Sequence, residues 1–267
     1  MDKIIGLGNA LVDVLATLKD DTLLDEMGLP KGSMQLIDDA KLQQINTKFS
    51  QMKTHLATGG SAGNAILGLA CLGAGTGFIG KVGNDHYGDF FRKNLQKNNI
   101  EDNLLTSEQL PSGVASTFIS QDGERTFGTY LGAAASLKAE DLTLEMFKGY
   151  AYLFIEGYLV QDHEMILHAI ELAKEAGLQI CLDMASYNIV ENDLEFFSLL
   201  INKYVDIVFA NEEEAKAFTG EEPEEALRVI AKKCSIAIVK VGANGSYIRK
   251  GTVSYTHLRA HETAANL

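Results

Sequence analysis

The chain has no tryptophan, only three prolines and three cysteines in 267 residues, and fewer basic than acidic side chains, 23 against 36. Each shortage excludes something. Cys71, Cys181 and Cys234 lie in apolar stretches without ligand spacing, which fits reduced thiols of a cytoplasmic protein better than disulfides or zinc. The formal charge of −13 argues against a nucleic-acid partner, whose surface needs a basic patch. It leaves a nucleotide substrate open, because helix dipoles and a few cations outweigh the global field locally. No apolar run approaches the ~18 residues of a membrane span. Asp2 and Asp13 interrupt the apolar N-terminus, which makes it a poor signal peptide. No low-complexity linker or internal repeat divides the chain, whose length suits one large α/β domain or two small ones.

What the sequence has in abundance is glycine, concentrated between Thr58 and Gly88. Gly59 and Gly60 form a pair at which a backbone can approach a ligand with no Cβ in the way. The pattern predicts Ser61 as N-cap, a helix over Ala62 to Leu72 ended by Gly73, and a short strand from Thr76 to Ile79. A second glycine-rich turn, Gly80 to Asp85, then leads into a helix from His86 to Asn98. Asn64 and Asp85 are the polar side chains expected on this backbone-lined surface. Two short motifs also fit here. Gly59-Gly60-Ser61-Ala62-Gly63 matches the nucleophile elbow of serine hydrolases, which would require a histidine late in the chain after an acid. Gly75 to Val82 nearly matches a phosphate-binding loop, but Val82 stands where a hydroxyl should hold Mg²⁺. His163 and His168 fall in a helical pattern, and His257 and His261 are spaced i, i+4 with no third metal ligand.

Along the chain, Lys3 to Leu7 reads as a strand, and Leu11 occupies the position where a dinucleotide fingerprint needs glycine. Ala40 to Lys53 reads as an amphipathic helix with Leu42, Ile45, Phe49 and Met52 on one face. Val114 to Ser120 and Arg125 to Tyr130, joined through Asp122-Gly123, form a hairpin pattern that breaks the βα rhythm and belongs outside the main sheet. From residue 150 the alternation is regular, with strands at Tyr152–Ile155, Gln179–Leu182, Asp206–Phe209 and Ser235–Val241. Helical patterns fall at Glu164–Ala176, Leu194–Lys203, Glu212–Thr219 and Glu224–Lys233. Such a series predicts a parallel sheet covered on both faces. Polar residues gather where strands finish (Asn9 and Asp13, Asp183, Asn211 and Glu214, Lys240 and Gly242), and ligands of open α/β sheets bind there.

The run Gly59 to Gly73 followed by Gly80 to Gly88 resembles the first signature of the ribokinase-like (pfkB) carbohydrate kinases. Gly8 to Asp13 followed by Leu29 to Leu36 is similar to the adenosine-kinase branch. The resemblance implies an α/β, doubly wound, mostly parallel sheet with helices on both faces, plus a small β lid from about 12–37 and 112–131. It implies a phosphotransferase using ATP and Mg²⁺ on the hydroxymethyl group of a ribose-containing acceptor, adenosine first, with a free-sugar kinase as alternative. It assigns the acceptor to Asn9, Asp13, Gly59, Gly60 and Asn64. Asn211, Lys240, Gly242 and Gly245 are assigned to the nucleotide, and Glu214 to Mg²⁺ through water. An ionised Asp13 suits a vicinal diol because its two oxygens accept both hydroxyls. Asn211 also reads as a plain helix cap, Ala243-Asn244-Gly245 as an ordinary hairpin turn, and Asp13 as a turn aspartate. The family's second signature, D-[TS]-x-G-A-G-D, carries its catalytic Asp and has no match after Gly251, so no catalytic residue is assigned. The expectation is a C-terminally truncated kinase domain over 1–252, inactive or only nucleoside-binding, with 253–267 a foreign tail. The partners expected are small molecules, with homodimerisation left open and no membrane.

Overall fold

The computed structural model describes residues 2–257, which divide into two compact units. The first runs from Gly6 to Asp141, and the second combines Asp2–Ile5 with the chain from Leu142 on. Strand β1 (Ile4–Leu7) therefore begins in the second unit and ends in the first.

In the first unit, β2 (Leu11–Thr17), α1 (Thr22–Met27), β3 (Met34–Leu36), α2 (Asp39–Phe49) and β4 (Thr54–Thr58) precede α3 (Ser61–Cys71). After these come β5 (Thr76–Gly83), α4 (His86–Lys97), β6 (Ile100–Ser107), β7 (Gly113–Ile119) and β8 (Arg125–Tyr130). Strands β5 and β6 pair in parallel, with α3 and α4 packed against them and Phe78 and Phe91 in ring contact at 5.4 Å. The hairpin lies in a separate five-stranded sheet ordered β3-β8-β7-β2-β4. Alternation along β2 sends Val14 and Ala16 into a core with Leu42, Ile45 and Phe49 of α2, and leaves Asp13 and Leu15 on the opposite face. Ser116 faces that core at the Val14 register; its hydroxyl is buried without a partner among the described residues. Ser116→Ala removes a polar group that folding desolvates and nothing compensates, so it should stabilise the protein by about 1 kcal/mol in urea unfolding. A fall in stability would show that the hydroxyl does find a bond.

In the second unit, β9 (Tyr152–Glu156), α5 (His163–Glu175), β10 (Gln179–Asp183), α6 (Tyr187–Asn192) and α7 (Leu194–Lys203) come first. They are followed by β11 (Ile207–Asn211), α8 (Glu212–Thr219), α9 (Pro223–Ile230), β12 (Ile236–Lys240), β13 (Ser246–Lys250) and β14 (Val253–His257). Strands β9, β10, β11 and β12 run parallel in that order, and β13 and β14 add antiparallel pairs. The interior positions of these parallel strands are apolar, and a polar residue closes each one, Glu156, Asp183, Asn211 and Lys240.

Two expectations are corrected here. Gly80 to Gly83 is not a turn but the second half of β5; a Cβ on Gly80 would stand 2.9 Å from the Gly8 carbonyl oxygen. Those glycines permit close strand approach rather than chain reversal. Cys71 is exposed, whereas Cys181 is buried. Val253–His257 forms β14, bonded to β13; 258–267, with His261, lies outside the described residues.

Candidate functional site

The first cluster lies in the first unit, where β2 and β4 leave their sheet. The Gly59 amide donates to the Leu11 carbonyl at 2.8 Å, which lays the glycine pair along the start of β2. A Cβ on Gly59 would stand 2.1 Å from Asp13 Oδ1, so the carboxylate rests directly on the glycine. Gly60 is the N-cap of α3 with φ of +83°, and Ser61 is the first helical residue with no capping bond, which corrects the expected cap. Asn64 begins the next turn; its backbone amide bonds Gly60, and its exposed side chain has no bonded partner among the described residues. Asn9 is buried, its carbonyl 2.3 Å from where a Gly60 Cβ would be. The predicted acceptor residues are thus brought together.

Asp13 has an acceptor's electrostatics. Burial pushes its carboxyl up to about 6, against the pull of nearby Arg125. It accepts no hydrogen bond from the described residues, an expensive state for a half-buried carboxylate unless a ligand supplies donors. Strand register fixes its surroundings. Ala57, Asp13, Ala115, Thr129 and Leu36 form one row across the face, and His55, Leu15, Thr117, Phe127 and Met34 the next. Beyond the carboxylate these rows carry Ala57, Ala115, Leu36, Leu15, Phe127 and Met34 together with Thr129, Thr117 and His55, and Ala115, Thr117 and Thr129 are buried.

Asp85 does something other than line this surface. It accepts the Tyr87 and Gly88 amides as the α4 cap, and both the amide and hydroxyl of Ser112 at 2.7 Å. Burial opposes its ionisation, yet the Gly88 and Ser112 bonds outweigh that and hold its carboxyl below the usual range. It ties the start of α4 to the entry into β7.

The second cluster lies in the second unit, at the carboxyl ends of β9 to β12. Asn211 and Glu214 form a complete capping box: Asn211 Oδ1 accepts the Glu214 amide, while the Glu214 carboxylate accepts the Asn211 amide and side chain. Glu214 is buried, which raises its carboxyl despite the Asn211 amide, and Asp183 raises it further. Lys240 Nζ lies 3.2 Å from Asp183 Oδ2. Gly242 begins a 3₁₀ turn that Gly245 closes (φ of +90°) between antiparallel β12 and β13, so the hairpin reading of this loop holds. A cleft of about 500 Å³ opens beside Asn211, Lys240 and Gly242, with Glu212 and Glu213 on its wall. Among the described residues no trio of His, Cys, Asp or Glu is arranged to hold a metal. Each Glu214 oxygen accepts one bond from Asn211, so a cation held directly by this carboxylate would share its oxygens with the capping box.

Two residues of this cluster escaped the sequence reading. Glu156 ends β9 in register with Asp183 and is buried. Tyr158 follows it, its hydroxyl raised by burial and then by Glu156, Glu214 and Asp183. The signal was a charged residue closing the apolar run YLFI. The hydrolase motif gains nothing: His163 is paired with Asp193 at 3.0 Å and stacked on Phe196.

The model of the pfkB family carbohydrate kinases matches residues 32–264. Guanosine-inosine kinase of Escherichia coli K12 is 26% identical over 230 residues, 82% of this chain and 53% of that protein. The chain thus spans about half the length of that relative. A probable sugar kinase from Rhizobium etli CFN 42 superposes with a TM-score of 0.86 at 31% identity, covering 97% of this chain and 80% of its own. Adenosine kinase from Sinorhizobium meliloti gives 0.85 at 30%, with 98% and 81% covered.

Proposed function

Since the chain belongs to the pfkB family of carbohydrate kinases, we propose that it serves transfer of the γ-phosphoryl group of ATP to the hydroxymethyl group of a ribose-containing acceptor, with adenosine the first to test. The observation that carries this reading is the carboxylate of Asp13, which accepts no hydrogen bond among the described residues and is set on Gly59 at the head of a partly apolar sheet face. A carboxylate takes both hydroxyls of a diol, and a partly apolar face with Phe127 suits a nucleobase better than open water suits a free sugar. Asn9, Gly60 and Asn64 complete the acceptor contacts. Asn211, Lys240, Gly242 and Gly245 take the nucleotide, where backbone free of Cβ atoms can approach phosphates.

Phosphoryl transfer relies on positioning and charge stabilisation, which glycine turns and helix ends supply. Mg²⁺ enters as part of the nucleotide substrate, with Glu214 reaching it at most through water. No general base is assigned, because D-[TS]-x-G-A-G-D does not occur in residues 1–267. Binding is therefore the sharper test. Calorimetry should show adenosine bound more tightly than ribose, and ATP bound independently. Tighter binding of ribose would favour a free-sugar acceptor; binding of neither adenosine nor ribose would sink the assignment of the Asp13 cluster.

A further inference from the structure

Building on that reading, we propose that Lys240 is the cation that meets the phosphate chain, and that Asp183 is its placeholder, holding the ammonium until phosphate displaces it. Lys240 ends β12 and Asp183 ends β10, so the lysine reaches over the end of the intervening β11. The two partners differ in freedom. The Lys240 side chain is 49% exposed and the Asp183 side chain 15%.

Asp183 is also locked from its other side. Its Oδ1 accepts the Ala185 amide at 2.9 Å, and Ala185 holds a φ of +63°, uncommon for a residue with a Cβ. Gly157 packs on the same turn; a Cβ there would stand 2.4 Å from the Asp183 carbonyl oxygen and 2.8 Å from the Met184 carbonyl carbon. A fixed carboxylate therefore faces a long, mobile ammonium.

The cleft beside Lys240 explains why the lysine needs an exchangeable partner. Its walls carry Glu212 and Glu213, and its other lysine, Lys216, is paired with Glu222 at 2.8 Å. Acidic walls repel a polyphosphate, so a cation held at the strand end is the feature that can draw one in. Half-exposed ion pairs are weak, and a phosphate chain offers more charge than one carboxylate, so the exchange favours the ligand.

The test is a double-mutant cycle read by calorimetry with ATP, inorganic tripolyphosphate and adenosine. Lys240→Gln should weaken ATP and tripolyphosphate by about tenfold, flatten their salt dependence, and leave adenosine unchanged. Asp183→Asn keeps an acceptor for the Ala185 amide and removes the competing charge, so it should tighten ATP by roughly threefold. The double variant should lie close to Lys240→Gln, because the effect of Asp183 on phosphate that this proposal assigns is the hold on the lysine. The proposal is overturned if Asp183→Asn weakens ATP, or keeps its effect in the Lys240→Gln background. Wild-type ATP binding that Lys240→Gln leaves intact defeats only this inference, whereas wild-type protein that binds neither ATP nor tripolyphosphate defeats the kinase reading beneath it. Melting temperatures of all variants report whether the fold is kept.

Discussion

Gly60→Ala should cost about 3 kcal/mol in urea unfolding, since a Cβ there is both strained and obstructed. The residue holds φ of +83°, and the added carbon would lie 2.3 Å from the backbone carbonyl oxygen of Asn9. Backbone cannot rotate aside as a side chain can, so β2 and α3 would have to separate locally. Acceptor affinity should fall with stability, because Asp13 rests on the adjoining Gly59. Gly68 provides the control within the same helix. It lies in the interior of α3, exposed, with open space where a Cβ would be built. Gly68→Ala should therefore stabilise the protein by up to about 1 kcal/mol through helix propensity alone. Shifts of the same sign at the two positions would show that the loop is not built as described.

That contrast also marks what the sequence could convey. Gly59 and Gly60 were readable as a close-approach pair, because only backbone geometry explains adjacent glycines ahead of a helical pattern. Which of Gly60 and Ser61 caps the helix depends on torsions that Gly60 alone can adopt, and the sequence preference for serine misled. Glycines at 80 and 83 looked like a turn because turn and close strand approach use the same residue for different reasons. The apolar strands β9 to β12 were legible from their runs. The partly polar β4 and β6 were not; each is an edge strand whose exposed residues dilute the pattern. Asp85 illustrates a different limit. Its position in a glycine-rich motif suggested a ligand contact, whereas four hydrogen bonds to Tyr87, Gly88 and Ser112 make it a cap and a tie. Glu156 and Tyr158 join the strand-end cluster only through the pairing of β9 with β10, and register of that kind is long-range information.

Asp13→Asn should move stability and affinity in opposite directions. Burial lifts the folded-state pKa of this carboxyl from 3.8 to about 6, so the folded protein binds the proton more tightly than the unfolded chain does. Stability from this group is fully present below pH 3.8 and is lost as pH rises through about 6. At pH 7 the wild type therefore holds an ionised, partly desolvated carboxylate at a cost, and the neutral amide removes that cost. Melting scans should find Asp13→Asn more stable than wild type at pH 7, with the difference shrinking toward pH 4. Binding runs the other way. An ionised carboxylate accepting both ribose hydroxyls contributes charge-assisted bonds, so the amide should weaken adenosine by about ten- to a hundredfold. Wild-type affinity should decline as pH falls below about 6, where Asp13 takes up its proton, while the variant stays flat. Calorimetry with adenosine and 2′-deoxyadenosine separates the diol role from general electrostatics. If wild type binds both nucleosides equally, or if Asp13→Asn gains stability without losing affinity, the carboxylate is not the diol acceptor.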